Sequence, residues 1–317
     1  MDYTFIQSFS IMNRSRIATY HILKLVAFSI VVSILCASMA FVLKHITESL
    51  ESIIFNKINA LNKIYFILLP TIGITAIYFL RKYLFKNRKN KGITEIYKTI
   101  DDRKEHLPLF KIPSHFFNGF LTVITGGSTG IEVSTVVASA TVGNTIYKSE
   151  FSAKKYKTEL ICAGVTAGVA VLFCSPLAGW LFAIEVIARN TRKSILLSCT
   201  IAALTVWLFI SLFDNHHLLP FSITSWQWSA LPFFIMLSLL GGTISVYLTK
   251  LVIVLKGSFN RINNNFLRVN IGAVTVGLLI CLLPFLYGDS YHGLIHVIEQ
   301  TIGNKEISLG ILLTLIS

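Results

Sequence analysis

The sequence predicts an all-α, polytopic membrane protein with broken and re-entrant helices. Its composition is 54% hydrophobic and only 14% charged, which leaves too little polar surface for a soluble domain. Five charge-free runs also approach or exceed the about 20 apolar residues that a membrane-spanning helix needs. These runs are Leu25–Leu43, Tyr65–Leu80, Ser194–Phe213, Phe221–Thr249 and Val269–Gly288.

The first apolar run is interpreted as a permanent membrane helix rather than as a removable signal peptide. It is flanked by Arg14, Arg16 and Lys24, and no small-residue cleavage pattern leads into a soluble domain. Because no linker rich in Ser, Gly or Pro divides the sequence, we expect residues 1–317 to form a single transmembrane domain with no soluble domain.

The net charge of +13 is compatible with either nucleic acid or a membrane surface as partner. The basic residues cluster in alternate loops between the apolar runs, and these loops are all cytoplasmic if the N-terminus is cytoplasmic. We therefore expect a multi-pass protein of the cell (plasma or inner) membrane that contacts the lipid bilayer and no nucleic acid. The basic loop residues are Arg81, Lys82, Lys86, Arg88, Lys89, Lys91, Lys148, Lys154, Lys155, Lys157, Arg189, Arg192, Lys193, Lys256, Arg261 and Arg268.

Glycine and hydroxyl residues interrupt the apolar stretch from Ile112 to Tyr147, which is about twice as long as one span. Two broken helices that meet at membrane depth explain this interruption better than one continuous helix. The interrupting residues are Thr125, Gly126, Gly127, Ser128, Thr129 and Gly130, followed by a lone Glu132.

Glu132 is the strongest candidate for a functional residue. An ionisable side chain inside a long apolar stretch is costly unless it is paired or functional. Helix starts with unpaired N–H groups attract anions, so a carboxylate there would compete with a permeating anion and could act as a gate. The alternative is that Gly126, Gly127 and Gly130 only permit close helix packing, while Glu132 caps a helix or reaches water.

A second interruption lies between Leu160 and Ala188, an apolar stretch whose only charged residue is Glu185. Ser175 followed by Pro176 is a typical helix-start signal, with serine as the N-cap and proline in the first turn. We therefore predict a second pair of broken helices here.

The segment GGSTGIEVSTVVASATVGN, from Gly126 to Asn144, resembles the segment of the chloride channel and chloride/proton antiporter (CLC) family that contains Gly-Arg-Glu-Gly-Pro. In this resemblance Glu132 occupies the position of the family's gating glutamate. Ile131, Val133 and Ser134 replace the Arg, Gly and Pro of that motif, which changes the electrostatics and the helix geometry around the glutamate.

Two further segments carry the same resemblance. The segment CAGVTAGVAVLFCSPLAGWLFAIEVI, from Cys162 to Ile187, is similar to the family's Gly/Ala-rich helix pair with Ala-Pro-Leu-Ala-Gly and Leu-Phe-x-x-Glu-Glu. A weaker match runs from Asn90 to Glu95, where the family has Gly-Ser-Gly-Ile-Pro-Glu. The residues of the second match are Ser175, Pro176, Leu177, Ala178, Gly179, Leu181, Phe182 and Glu185.

Two positions bear on mechanism through the resemblance. Lys91 stands where the family has a serine that contacts the central anion, and it either supplies positive charge there or belongs to the basic cytoplasmic loop. Val186 stands where antiporter members have an inner glutamate that relays protons and where channel members have valine. The resemblance therefore implies no proton coupling by that route.

The resemblance also implies an architecture of two inverted halves and a homodimer with one pathway per subunit. Residues 1–213 would form the first half and residues 221–317 part of the second. The family's Gly-x-Phe-x-Pro helix start and a later tyrosine fall beyond Ser317, so we expect a truncated sequence.

The function that the resemblance implies is passive or gated movement of chloride or a similar inorganic anion, with Glu132 as the gate and no cofactor. Fluoride export or proton-coupled anion exchange is one alternative. A truncated, non-conducting membrane protein or interaction scaffold is the alternative from another class. The residues expected to line or shape the anion site are Gly127, Ser128, Thr129, Gly130, Ile131, Val133 and Lys91.

Enzymatic and metal-binding functions find little support in the sequence. No GxxxxGKS/T, HExxH or GxSxG motif occurs, so we expect no enzyme. His216 and His217 with Asp214 are a candidate metal-ligand group, but adjacent histidines point apart and no third ligand has metal-like spacing. An ordinary outer loop is the favoured interpretation, with no metal.

Overall fold

A computed structural model describes residues 3–86, 88, 92–102, 106–128, 130–149, 155–214 and 228–288, with side chains from residue 19 onward except that of Phe285. The described residues form ten α-helices. They are α1 (Tyr3–Leu61), α2 (Tyr65–Phe79), α3 (Ile93–Asp101), α4 (Lys111–Ile124), α5 (Ile131–Ser149), α6 (Lys157–Leu172), α7 (Pro176–Phe182), α8 (Lys193–Phe213), α9 (Leu231–Phe259) and α10 (Asn265–Leu282). Short π-helical segments extend α2 over Leu80–Leu84 and α7 over Ala183–Ala188, and 3-10 turns form at Trp228–Ala230 and Pro284–Leu286.

Five of these helical regions are long and apolar enough to cross a membrane, which confirms the predicted multi-pass, all-α fold. Each of them contains most of one of the five apolar runs. The regions are Thr19–Leu61, Tyr65–Leu84, Lys193–Phe213, Trp228–Phe259 and Asn265–Leu282.

Two helices differ in length from the runs that predict them. Helix α1 continues well beyond Leu43, and the charge of Lys44, the first residue after the apolar run, is paired inside the protein with Asp214. Helix α10 ends at Leu282, before the end of its apolar run, because Pro284 begins a 3-10 turn and proline cannot donate the next helical hydrogen bond.

The chain forms two compact units. The first consists of residues up to Leu50, Arg81–Phe120 and Thr129–His216, and the second of Glu51–Leu80, Leu121–Ser128 and the residues from His217 onward. The division into repeat halves at 1–213 and 221–317 stays a prediction, and residues 289–317 lie outside the described residues.

Helix α6 is the centre of the first unit, and its residues from Leu160 to Leu172 are all buried. Small residues let the neighbouring helices approach its backbone closely, as is common in membrane proteins. A Cβ atom placed on Gly143 of α5 would lie only 2.2 Å from the Leu160 carbonyl oxygen, and one on Gly179 of α7 only 2.4 Å from that of Thr166. Helix α6 is therefore in backbone contact with both partners.

In the second unit, α2 packs against α10, and a glycine again allows the two helix backbones to approach closely. A Cβ atom on Gly277 would lie 2.5 Å from the Ile67 carbonyl oxygen. The rings of Phe55, Phe66 and Tyr287 pack beside this contact with centroids 5.4–5.6 Å apart. The Tyr287 hydroxyl donates a 2.6 Å hydrogen bond to the Ile124 carbonyl oxygen, which ties the end of α4 to this cluster.

Candidate functional site

The predicted break in the Ile112–Tyr147 stretch is present, because α4 ends at Ile124 and α5 begins at Ile131. Gly126 adopts φ +94°, a conformation that favours glycine. A Cβ atom there would also lie 2.9 Å from Ile280 Cδ1. Gly126 therefore permits close packing, and it also lies at the break between the two helices.

Helix α5 begins with the residues around Glu132. Glu132 lies in its first turn and is half-buried, while Ile131 is buried and Val133 is exposed. The first N–H groups of a helix have no partner within the helix, and this end carries partial positive charge. The carboxylate thus occupies the end of the helix where an anion is electrostatically favoured.

The start of α3 lies next to the start of α5. Gly92 is the N-cap of α3 with φ +62° and ψ −140°, and a Cβ atom placed on it would lie 3.8 Å from Val133 Cγ1. The N-terminal ends of two helices are therefore adjacent, although the segments containing them are about 40 residues apart.

Helix α4 supports both helix starts through one face. Lys111 forms an ion pair with Glu95 in the first turn of α3. A Cβ atom on Gly119 would lie 2.7 Å from the Gly130 carbonyl oxygen and 2.7 Å from Ser134 Oγ. Backbone contact with α4 therefore fixes the beginning of α5.

The second predicted break lies between α6 and α7. Ser175 is the N-cap of α7, and its side-chain oxygen accepts a 3.3 Å hydrogen bond from the Ala178 N–H, with Pro176 in the first turn. Glu185 is exposed on the π-helical extension, whereas Val186 is partly buried against the core of the first unit.

A sequence profile described as Voltage gated chloride channel matches residues 72–317. The chain belongs to this voltage gated chloride channel family.

Named relatives and a solved structure agree with this assignment. The H(+)/Cl(-) exchange transporter ClcA of Vibrio parahaemolyticus serotype O3:K6 is 28% identical over 248 residues, which cover 74% of this chain and 52% of that protein. The Chloride/fluoride channel protein of Pseudomonas syringae pv. tomato is 28% identical over 138 residues, 43% of this chain and 30% of that protein. The chain spans at most about half the length of these curated relatives.

The fold agrees with that of a CLC-type fluoride/proton antiporter of known crystal structure. That structure has 24% sequence identity to this chain and a TM-score of 0.71, and the match covers 93% of this chain and 74% of the other. This agreement supports the predicted CLC-type fold with its broken helices.

Several residues that the family resemblance singles out can be located, and others cannot. Ser128 is an exposed bend residue and Gly127 is half-buried, and both belong to the second unit. Lys91 and Thr129 lie outside the described residues, as do His216 and His217. No group of three metal-ligating side chains occurs among the described residues.

The sequence interpretation missed two buried ion pairs of this CLC-family chain. Lys44 Nζ lies 3.0 Å from Asp214 Oδ2, and these side chains are only 9% and 0% exposed. The other pair is Lys111 with Glu95. Lys111 and His115 both lie in or beside an apolar stretch. The free-energy cost of placing a charge in lipid is the signal that could have identified Lys111.

Proposed function

We propose that this chain is part of an anion transport protein in which the adjacent starts of α3 and α5 form an anion site. The observation that carries the proposal is the proximity of Gly92 and Val133, since a Cβ atom placed on Gly92 would lie 3.8 Å from Val133 Cγ1, with Glu132 in the same helical turn as Val133. Two helix N-termini together provide several N–H donors and partial positive charge. Gly130 and Ile131 shape the α5 side of this site.

Glu132 acts as the gate in this proposal. An ionised carboxylate competes with the anion for the N–H donors of the first turn, so the two occupy the site alternately. Protonation of Glu132 removes this competition, and the anion then binds. Anion flux therefore increases as the pH falls.

The preferred anion and the mode of transport are the finer part of the proposal. We propose chloride as the ligand, without any cofactor, and channel-like movement, because Val186 supplies no inner carboxylate. The names of the relatives include both chloride and fluoride and both channels and exchangers. Fluoride transport and proton-coupled exchange are therefore the rival modes.

We also propose a homodimer in the plasma or inner membrane with a cytoplasmic N-terminus. The alternation of basic loops with loops that are balanced or lack Lys and Arg supports the orientation. An N-terminal epitope that is protected from protease in intact cells is expected, and a dimer mass in detergent measures the assembly. An N-terminus accessible from outside contradicts the orientation.

Flux measurements on the purified protein in liposomes test the mode of transport. Chloride and fluoride efflux are measured at several pH values, with and without an imposed pH gradient. Downhill chloride flux that does not change when the pH gradient is imposed supports the channel mode. Uphill chloride movement driven by the gradient refutes it, and a well-folded protein without flux at any pH supports the scaffold alternative.

Glu132→Gln tests the gate. The amide mimics the protonated carboxyl, so flux in this variant is expected to stay high at neutral pH and to lose the part of its pH dependence that comes from Glu132. Glu48→Gln is the matched control, since Glu48 is partly exposed in the C-terminal half of α1, and it should leave the pH profile unchanged. An unaltered pH profile in Glu132→Gln removes Glu132 from the gate role.

A further inference from the structure

One face of α4 carries a histidine between the two helix starts. Lys111, His115 and Gly119 are spaced four residues apart, so they lie on the same side of the helix. Lys111 pairs with Glu95 in the first turn of α3, and Gly119 contacts Gly130 at the start of α5. His115 therefore lies between the contact with α3 and the contact with α5.

The His115 side chain is buried, and one of its two ring nitrogens lacks a hydrogen-bond partner among the described residues. The residue is only 7% exposed, and its Nε2 atom has no hydrogen-bond partner among the residues that the structure describes. Buried polar atoms are normally hydrogen-bonded, so an unpartnered one calls for a specific explanation such as a ligand or a functional proton.

Two positively charged groups act on His115, and two carboxylates lie on the neighbouring helices. Lys111 on the same helix and Arg81 in the π-helical segment that follows α2 both place positive charge near His115. Glu95 of α3 offsets Lys111 through their ion pair, and Glu132 lies in the first turn of α5. A proton on His115 would add positive charge here, and a bound anion would compensate for it.

We propose that His115 binds a proton when an anion occupies the site between α3 and α5, so that anion and proton bind as a pair. This inference rests on the proposed anion site. Nε2 takes the proton from water as the anion enters and returns it to water as the anion leaves. Coupling of this kind is reciprocal, so acid strengthens anion binding and the anion strengthens proton binding.

Anion binding at several pH values tests the coupling on the purified protein. Chloride and fluoride affinities are measured by calorimetry between about pH 4.5 and pH 7.5. Binding in Glu132→Gln, which removes the carboxylate of the proposed gate, is expected to strengthen by up to about tenfold per pH unit of acidification, the limit for one linked proton. His115→Gln in the same background is expected to bind the anion with an affinity that no longer depends on pH.

Two further variants complete the design. His45→Gln, at a histidine in α1 that is 31% exposed, is the matched control and should retain the pH dependence. His115→Lys carries a permanent charge and should bind the anion at every pH as tightly as the parent does in acid. If His115→Gln fails to fold, the proton uptake that accompanies anion binding to Glu132→Gln in weak buffer decides the question.

The outcomes separate the two proposals. Retention of the full pH dependence in His115→Gln overturns the inference, as does anion binding to Glu132→Gln without proton uptake. Absence of any anion binding to the folded parent protein overturns the proposed anion site itself.

Discussion

Removal of one partner of the Lys44–Asp214 ion pair is expected to destabilise the first unit strongly. Asp214→Asn leaves Lys44, which is 9% exposed, without its carboxylate at 3.0 Å. Breaking a buried pair in this way costs about 3–5 kcal/mol, because an uncompensated charge stays buried. Lys44 also donates to Cys174 Sγ at 3.0 Å, but a thiol does not neutralise the charge.

Thermal unfolding of the purified protein in detergent measures this effect. One kcal/mol corresponds to about 2–4 °C in a domain of 150–250 residues, so a fall in Tm of at least roughly 6 °C is expected. The double variant Lys44→Met/Asp214→Leu removes both charges and should recover most of the loss, since apolar replacements of a buried pair are often neutral.

The exposed ion pair between Arg189 and Asp101 provides the control. Its side chains are 52% and 72% exposed and lie 3.7 Å apart, so Asp101→Asn should change stability by less than about 1 kcal/mol. Equal effects of Asp214→Asn and Asp101→Asn would refute the reasoning, because burial would then not govern the energy of these pairs.

Three backbone predictions use the same unfolding assay. Gly143→Ala is expected to cost about 1–3 kcal/mol, since its Cβ would lie 2.2 Å from the Leu160 carbonyl oxygen. The control Gly241→Ala, with nothing within 4 Å of its Cβ, should be neutral or slightly stabilising. Equal effects of the two substitutions would contradict the packing argument. Gly126→Ala should cost at least about 1 kcal/mol because φ is +94°, and an unchanged Tm would show that the turn adapts. Ser175→Ala should cost about 1 kcal/mol through loss of the N-cap hydrogen bond, whereas Ser175→Asn should retain stability, and equal losses in the two variants would argue against capping.

The fold of this chain could be predicted largely from local signals. Apolar runs of bilayer length mark the spanning helices, because lipid leaves few alternatives for a polar backbone. The breaks before Ile131 and Pro176 were also predictable, since glycine and a Ser-Pro pair interrupt helices within a few residues of sequence.

The contacts between distant charged residues and between the two helix starts were not predictable in this way. Lys44 and Asp214 are 170 residues apart, and Glu95 of α3 pairs with Lys111 of the next helix. Local periodicity carries no information about which distant charges become neighbours. The position of Glu132 at a helix start was predicted correctly, but the adjacent start of α3 required the tertiary structure.

Helix α5 is held by backbone contact at both ends, by Gly119 of α4 near its beginning and by Leu160 of α6 near Gly143. Close packing at two points opposes both sliding of the helix along its axis and pivoting about one end. We therefore expect rearrangement at its first turn to proceed by side-chain rotation, which takes picoseconds to nanoseconds, rather than by the collective helix shifts that take microseconds to milliseconds.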